Sequence, residues 1–226
     1  MCAMALNHTS RELEEKLASG WTGSRILSLT DNVFAFAMTL LILNFVIPAD
    51  FASESLPQLF ANLWPQFLTY FMSFAVLGTF WVGHHNLISL VKHVDRKSLW
   101  INIVFSSFIV LIPFSTGILR IYYTDQIAIM AYGVNLIICG LAAYWFWAHA
   151  VKCRLVRDDI SPEMISIMRY RIVVPVAVAV LVTLFGFVEP IVSLFLFAAL
   201  FFLVTIPTNS DSVVQAIARF SAKRKA

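Results

Sequence analysis

The stretch Arg25–Asn44, RILSLTDNVFAFAMTLLILN, decides the class of this protein. After Arg25 its single charge is Asp31, and apolar character continues to Ile47 before Pro48 stops it. About 20 helical residues are needed to cross a hydrocarbon core roughly 30 Å thick. The stretch therefore reads as a first transmembrane helix, over 26–47. An acid this far into a span costs on the order of a few kcal/mol if unpaired, so Asp31 must face protein or water. Arg25 lies six residues earlier, about 240° around a helix, so the two do not pair on one face. Thr30 or Asp31 capping a helix start is the purely structural alternative.

The rest of the chain repeats this pattern. Of 226 residues, 60% are hydrophobic, 13% are charged and 20 are Phe, with a mean hydropathy of +0.82. So few charges cannot cover a soluble domain, which excludes a soluble α/β enzyme and a disordered chain. Three scattered cysteines, Cys2, Cys139 and Cys153, give no disulfide framework and no paired metal-ligand spacing. The first 20 residues hold no signal-peptide core, and 10–18 reads as a short surface helix. Further spans are expected over 58–90, with an interfacial start at Pro57 and Pro65 and the crossing itself over 66–88. Others follow over 99–119, with a kink at Pro113, and over 126–149, 170–188 and 191–206. Tyr144-Trp145-Phe146-Trp147 reads as an interfacial aromatic belt. The segment 151–168 reads as a charged loop.

Six spans put both termini on one side, and the charges agree. Fifteen of the 16 Lys and Arg fall on that side, and only Arg120 falls on the other. The positive-inside rule makes that side the cytoplasm. The expected architecture is all-α and polytopic, with a cytoplasmic segment 1–25, a six-helix domain 26–206 and a basic tail 207–226. The tail Lys223-Arg224-Lys225 suits anionic lipid headgroups rather than nucleic acid. No internal repeat supports an inverted-repeat transporter.

At the cytoplasmic depth of Arg25, Thr30 and Asp31, the second span ends in Trp81-Val-Gly-His84-His85. A polar network tying helix one to helix two is the expected role of these residues. Adjacent histidines point about 100° apart, so a shared metal is not expected. Asn32, Phe36, Thr39/Leu40 and Leu43 form a stripe along the first span, which periodicity alone reads as packing or lipid contact as readily as pore lining. Hydrolase, zincin, phosphate-loop and potassium-filter motifs are absent, so no enzyme activity is expected.

Arg25-xxx-Leu29-Thr30-Asp31 followed by VFAFAMTLLIL resembles the R-xxx-F-S-D signature of the transmembrane protein 175 family of lysosomal potassium channels, in its single-repeat prokaryotic branch. The resemblance runs from about residue 22 to 206. Leu29 stands where the family usually has Phe, and Thr30 where it has Ser. The resemblance implies a potassium-permeable homotetramer in a prokaryotic cell membrane, with four first helices around a pore that lacks a carbonyl filter. It makes Phe36, Leu40 and Leu43 the constriction, with Thr39 and Asn32 as polar layers. Phe36 occupies a position that is commonly Ile in relatives. No cofactor is implied beyond potassium as the permeant ion. The alternatives are a secondary or proton-coupled transporter using Asp31 and His84/His85, and a haem protein using His84, His85, His93 or His149.

Overall fold

The computed structural model describes residues 23–45 and 55–205. The expected surface helix 10–18, the acids Asp50 and Glu54 and the basic tail lie outside the described residues. Seven α-helices follow one another: α1 Gly23–Leu40, α2 Leu56–Asn62, α3 Trp64–Ser89, α4 Arg96–Ile121, α5 Gln126–Lys152, α6 Pro162–Phe185 and α7 Pro190–Thr205. A 3₁₀ turn, Leu41–Asn44, extends α1. Five of these segments are long and apolar enough to cross a membrane, and α7 is a shorter apolar helix. The protein is a polytopic helical membrane protein.

The helix starts follow local chemistry. Ser55 and Gln58 form a capping box on α2, whose first turn holds Pro57. Asp95 caps α4 by accepting from the Ser98 N–H at 2.8 Å, and Asp125 caps α5 through the Ile127 N–H at 2.7 Å. The helix that carries the fifth span begins at Pro162, ahead of the apolar run expected from Tyr170. Ser161 as cap, Pro162 at the first position and Glu163 in the first turn start a helix before the apolar run does. Its charged beginning is held by packing, since Met168 and Ile165 join Trp147 in one core.

The aromatic belt is also corrected. Trp147 and Phe146 are buried, while Trp145 is half exposed. Four consecutive residues span a full helical turn, so they cannot all face the lipid.

α1 packs against α3 and α4, and α5 lies between α4 and α6. One core runs through the middle, built on Phe34, Leu41, Leu77, Phe105, Ile112 and Tyr132. A second, at one end, is built on Ile26, Leu87, Ile101, Trp147, Val156 and Met168. At that end Val91 bridges Val156, the Lys92 N–H donates to the Leu155 carbonyl at 2.9 Å, and Lys92 Nζ donates to Asp158 at 2.7 Å. The two basic connections, α3–α4 and α5–α6, therefore share one end. At the opposite end Gln126 Nε2 donates to the Phe187 carbonyl at 2.8 Å, joining the α4–α5 and α6–α7 connections.

Candidate functional site

α1 has two unlike faces. Ile26, Thr30, Phe34, Ala37 and Leu41 recur at helical spacing and are all buried against the neighbouring helices. On the other side Leu29, Phe36 and Leu43 are 54%, 70% and 71% exposed, and Leu40 joins them. Asn32 and Thr39 share this exposed side. A cavity of about 300 Å³, open on one side, runs along Leu29, Asn32, Val33, Phe36, Leu40 and Val110. The two polar side chains have spent a donor on their own helix. Asn32 Nδ2 donates to the Ser28 carbonyl at 2.9 Å, and Thr39 Oγ1 donates to the Phe36 carbonyl at 2.8 Å. Their remaining oxygen lone pairs are acceptors, so the face offers apolar bulk interrupted by oxygens.

The buried face is anchored by a directed chain of hydrogen bonds. His84 Nε2 on α3 meets Asn102 Oδ1 on α4 at 2.8 Å. Asn102 Nδ2 donates to Thr30 Oγ1 on α1 at 3.0 Å, and Thr30 Oγ1 donates to the Ile26 carbonyl at 2.9 Å. The amide oxygen of Asn102 can only accept, so His84 carries its proton on Nε2. The His84 ring also stacks on Phe105, with centroids 5.1 Å apart. Beside this chain, Trp81 Nε1 donates to Asp31 Oδ1 at 2.8 Å. The acid thus has a partner on α3, as its place in a span demands.

Not every expected member takes part. Thr30, Asp31, Trp81 and His84 are tied into bonds between helices. His85 is exposed and touches only the Trp81 ring, at 6.1 Å between centroids. Arg25 is exposed and makes none of these bonds. Leu29 lies on the exposed face, away from the polar chain. Nor do Thr30 and Asp31 cap a helix start, because α1 begins at Gly23 and Thr30 bonds back to a carbonyl. Asp31 and His84 hydrogen-bond to different partners and form no common relay.

Two members escaped the sequence reading. Asn102 is the centre of the chain; a buried amide in the apolar run WINIVF was its signal. Asn44 is the other. Its Nδ2 donates to the Pro113 carbonyl at 2.9 Å, so it fastens the far end of α1 to α4 at Pro113. Gly117 permits this approach, since a Cβ there would stand 3.0 Å from Asn44 Oδ1.

Residues 25–113 match the family model described as endosomal/lysosomal potassium channel TMEM175. Over that segment, about two fifths of its length, the chain is similar to the TMEM175 family. The matched segment holds all the residues of the anchor and the exposed face. A potassium channel of Streptomyces collinus is 30% identical over 132 residues, 57% of this chain and 64% of that relative. A potassium channel of Chamaesiphon minutus is 30% identical over 131 residues, 56% of this chain and 64% of the relative. The matches thus span less than two thirds of either bacterial relative. The human endosomal/lysosomal proton channel TMEM175 is 33% identical over 108 residues, 44% of this chain and 21% of its own length. The crystal structure of a lysosomal potassium-selective channel TMEM175 homolog from Chamaesiphon minutus shares the fold. Its TM-score is 0.75 at 23% identity, over 83% of this chain and 98% of that one.

Proposed function

We propose that this chain is a TMEM175-family protein and a potassium-permeable cation channel whose pore is lined by α1 of several copies. The observation that carries the reading is the exposed face of α1, where Phe36, Leu40 and Leu43 stand on a helix whose opposite face is fully buried. One chain with a single such face cannot enclose a path, so the reading requires a homo-oligomer. Four copies are taken from the family resemblance. Rings of Phe36, Leu40 and Leu43 then form the constriction, and they close it by dewetting rather than by a carbonyl filter. Asn32 and Thr39 supply oxygens between the apolar rings, which suits a partly dehydrated cation better than an anion. Thr30, Asp31, Trp81, His84 and Asn102 hold α1 in register. No cofactor enters the mechanism, and the permeant ion is the only small partner. The basic connections at one end, and the basic residues of the tail sequence, support a cell-membrane location with that end in the cytoplasm.

The test is flux from liposomes holding the purified full-length chain, with potassium and then sodium as the gradient ion. Passive potassium flux exceeding sodium flux supports the proposal. Saturable uptake coupled to a second solute would replace it with a carrier.

A further inference from the structure

Away from α1, three chemically reactive side chains meet at the end of the bundle that carries the basic connections. Cys153 Sγ lies 3.7 Å from His149 Nδ1, and His149 Nε2 lies 2.8 Å from Asp95 Oδ2. The three donor atoms fall within 4.8 Å of one another. Cys153 is a free, exposed thiol, His149 is buried, and Asp95 is partly exposed. The order is nucleophile, base and orienting carboxylate, which is the signature of an activated thiol.

The protons can be placed. Hydrogen bonds from Ser98 and His149 outweigh burial and hold the Asp95 carboxyl below the usual carboxylate range. An ionised carboxylate only accepts, so His149 carries its proton on Nε2 and leaves the Nδ1 lone pair toward the thiol. Access is built into the backbone. Arg154 follows Cys153 with a φ of 56°, which non-glycine residues rarely adopt, and the Leu155 N–H closes the helix on the Ala150 carbonyl at 2.9 Å. The chain turns away there, and Cys153 stays open. A metal ion is the weaker reading, because Asp95 and Cys153 engage opposite nitrogens of one imidazole, and a single ion takes only one.

We propose that Cys153, His149 and Asp95 form a reactive-thiol relay on which a low-molecular-weight disulfide forms a reversible mixed disulfide. His149 Nδ1 takes the Cys153 proton as the sulfur attacks one sulfur of the disulfide. The S–S bond of the reagent breaks, a new S–S bond forms to Cys153, and the departing thiolate recovers the proton from His149. One disulfide is exchanged for another, so the electrons balance. This inference stands apart from the channel reading and uses no residue of α1.

The charged groups around the relay are known. Lys152 and Arg154 flank Cys153 in the chain, and His93, Arg96 and Lys97 flank Asp95 on the adjoining turn. Lys92 is paired with Asp158, and Arg157 with Asp159.

The test uses the full chain in detergent micelles with Cys2→Ser throughout, glutathione disulfide for adduct mapping and dithiobis-nitrobenzoate for rates. The adduct is expected on Cys153 by peptide mass, while buried Cys139 stays unmodified. His149→Gln should slow the reaction at neutral pH by about tenfold or more. Its pH–rate profile should differ from that of the wild type, because the base that takes the thiol proton is gone. Asp95→Asn keeps a cap for Ser98 but removes the carboxylate, so it should lie between them. It carries the test if His149→Gln fails to fold. Equal rates and equal pH profiles in folded wild type and variants, or an unmodified Cys153, would overturn the proposal.

Discussion

Asn102 is the residue whose loss should most weaken the hold on α1. It is 3% exposed and bonds to both α3 and α1. Asn102→Leu keeps the shape and removes both bonds. Thr30 loses little, because its hydroxyl still donates to the Ile26 carbonyl at 2.9 Å. His84 loses more, since its Nε2 proton stays buried without a partner, at a cost of about 1–3 kcal/mol. The expected destabilisation is about 2 kcal/mol, near thirtyfold in the folding equilibrium. Thr30→Val removes the acceptor of one Asn102 amide proton and should cost about 1 kcal/mol. The two substitutions share one bond, so the double variant should fall short of additivity by about 0.6 kcal/mol, the mean for hydrogen bonds between membrane helices, and by no more than about 1.7. Unfolding by titrating dodecyl sulfate into micelles, followed by tryptophan fluorescence, reads all four corners of the cycle. Strict additivity, or an Asn102→Leu protein as stable as wild type, would refute the idea that this chain couples α1 to α4.

Other outcomes are open to measurement. Leu40→Ala should raise potassium flux in liposomes by widening the narrowest ring, and unchanged flux from folded protein counts against Leu40 as constriction. Asp31→Asn keeps an oxygen for Trp81 and drops the charge. It should therefore cost about 1 kcal/mol and alter flux, with Asp31→Ala costing more in the same unfolding assay. Gly133→Ala places a Cβ into the Thr183 side chain and should cost about 1–3 kcal/mol by overpacking α5 against α6; a neutral result would mean that Thr183 can turn aside. Asp95 gives a pH signature. Its folded carboxyl sits below the unfolded value of about 3.9, so its contribution is complete above that value and is lost as pH falls through the lower folded one. The stability lost on Asp95→Asn should shrink as pH falls below about 4. A loss that grows on acidification would contradict the sign.

The fold was legible wherever one-dimensional signals decide it. Hydropathy marks α1, α3, α4 and α5 to within a few residues, because a span must be apolar whatever its neighbours are. Asp31 announced that it needed a partner, and Trp81 stood at the right depth to supply one. Asn102 could not be chosen the same way, since depth and periodicity do not say which face of α4 meets which face of α1. Leu29 and Thr30 show the same limit: they lie about 100° apart around α1, enough to separate exposed from buried. The start of α6 was legible in Ser161-Pro162-Glu163, yet hydropathy hides it, because a helix that runs past the membrane surface is free to carry charge there. Trp147 shows the converse, an aromatic that composition sends to the interface and packing keeps inside.

Under the channel reading, the fastening of α1 limits how it can open. The helix is held at one end by Asn102–Thr30 and Trp81–Asp31 and at the other by Asn44–Pro113. Between them, Phe36 and Leu40 have no neighbour on their open side. Turning the whole helix breaks all three bonds, which at about 0.6 kcal/mol each costs about 2 kcal/mol per subunit. In a four-fold pore that moves together, the sum is large enough to keep the gate shut without a stimulus. Rotamer changes of Phe36 break none of them and occur on much faster timescales. The bonds therefore divide the work: side chains set the width of the constriction, and release of the anchor sets whether the helix turns. Loosening the anchor with Asn102→Leu should raise open probability without changing single-channel conductance, while Leu40→Ala, which thins a ring that closes by dewetting, should raise both.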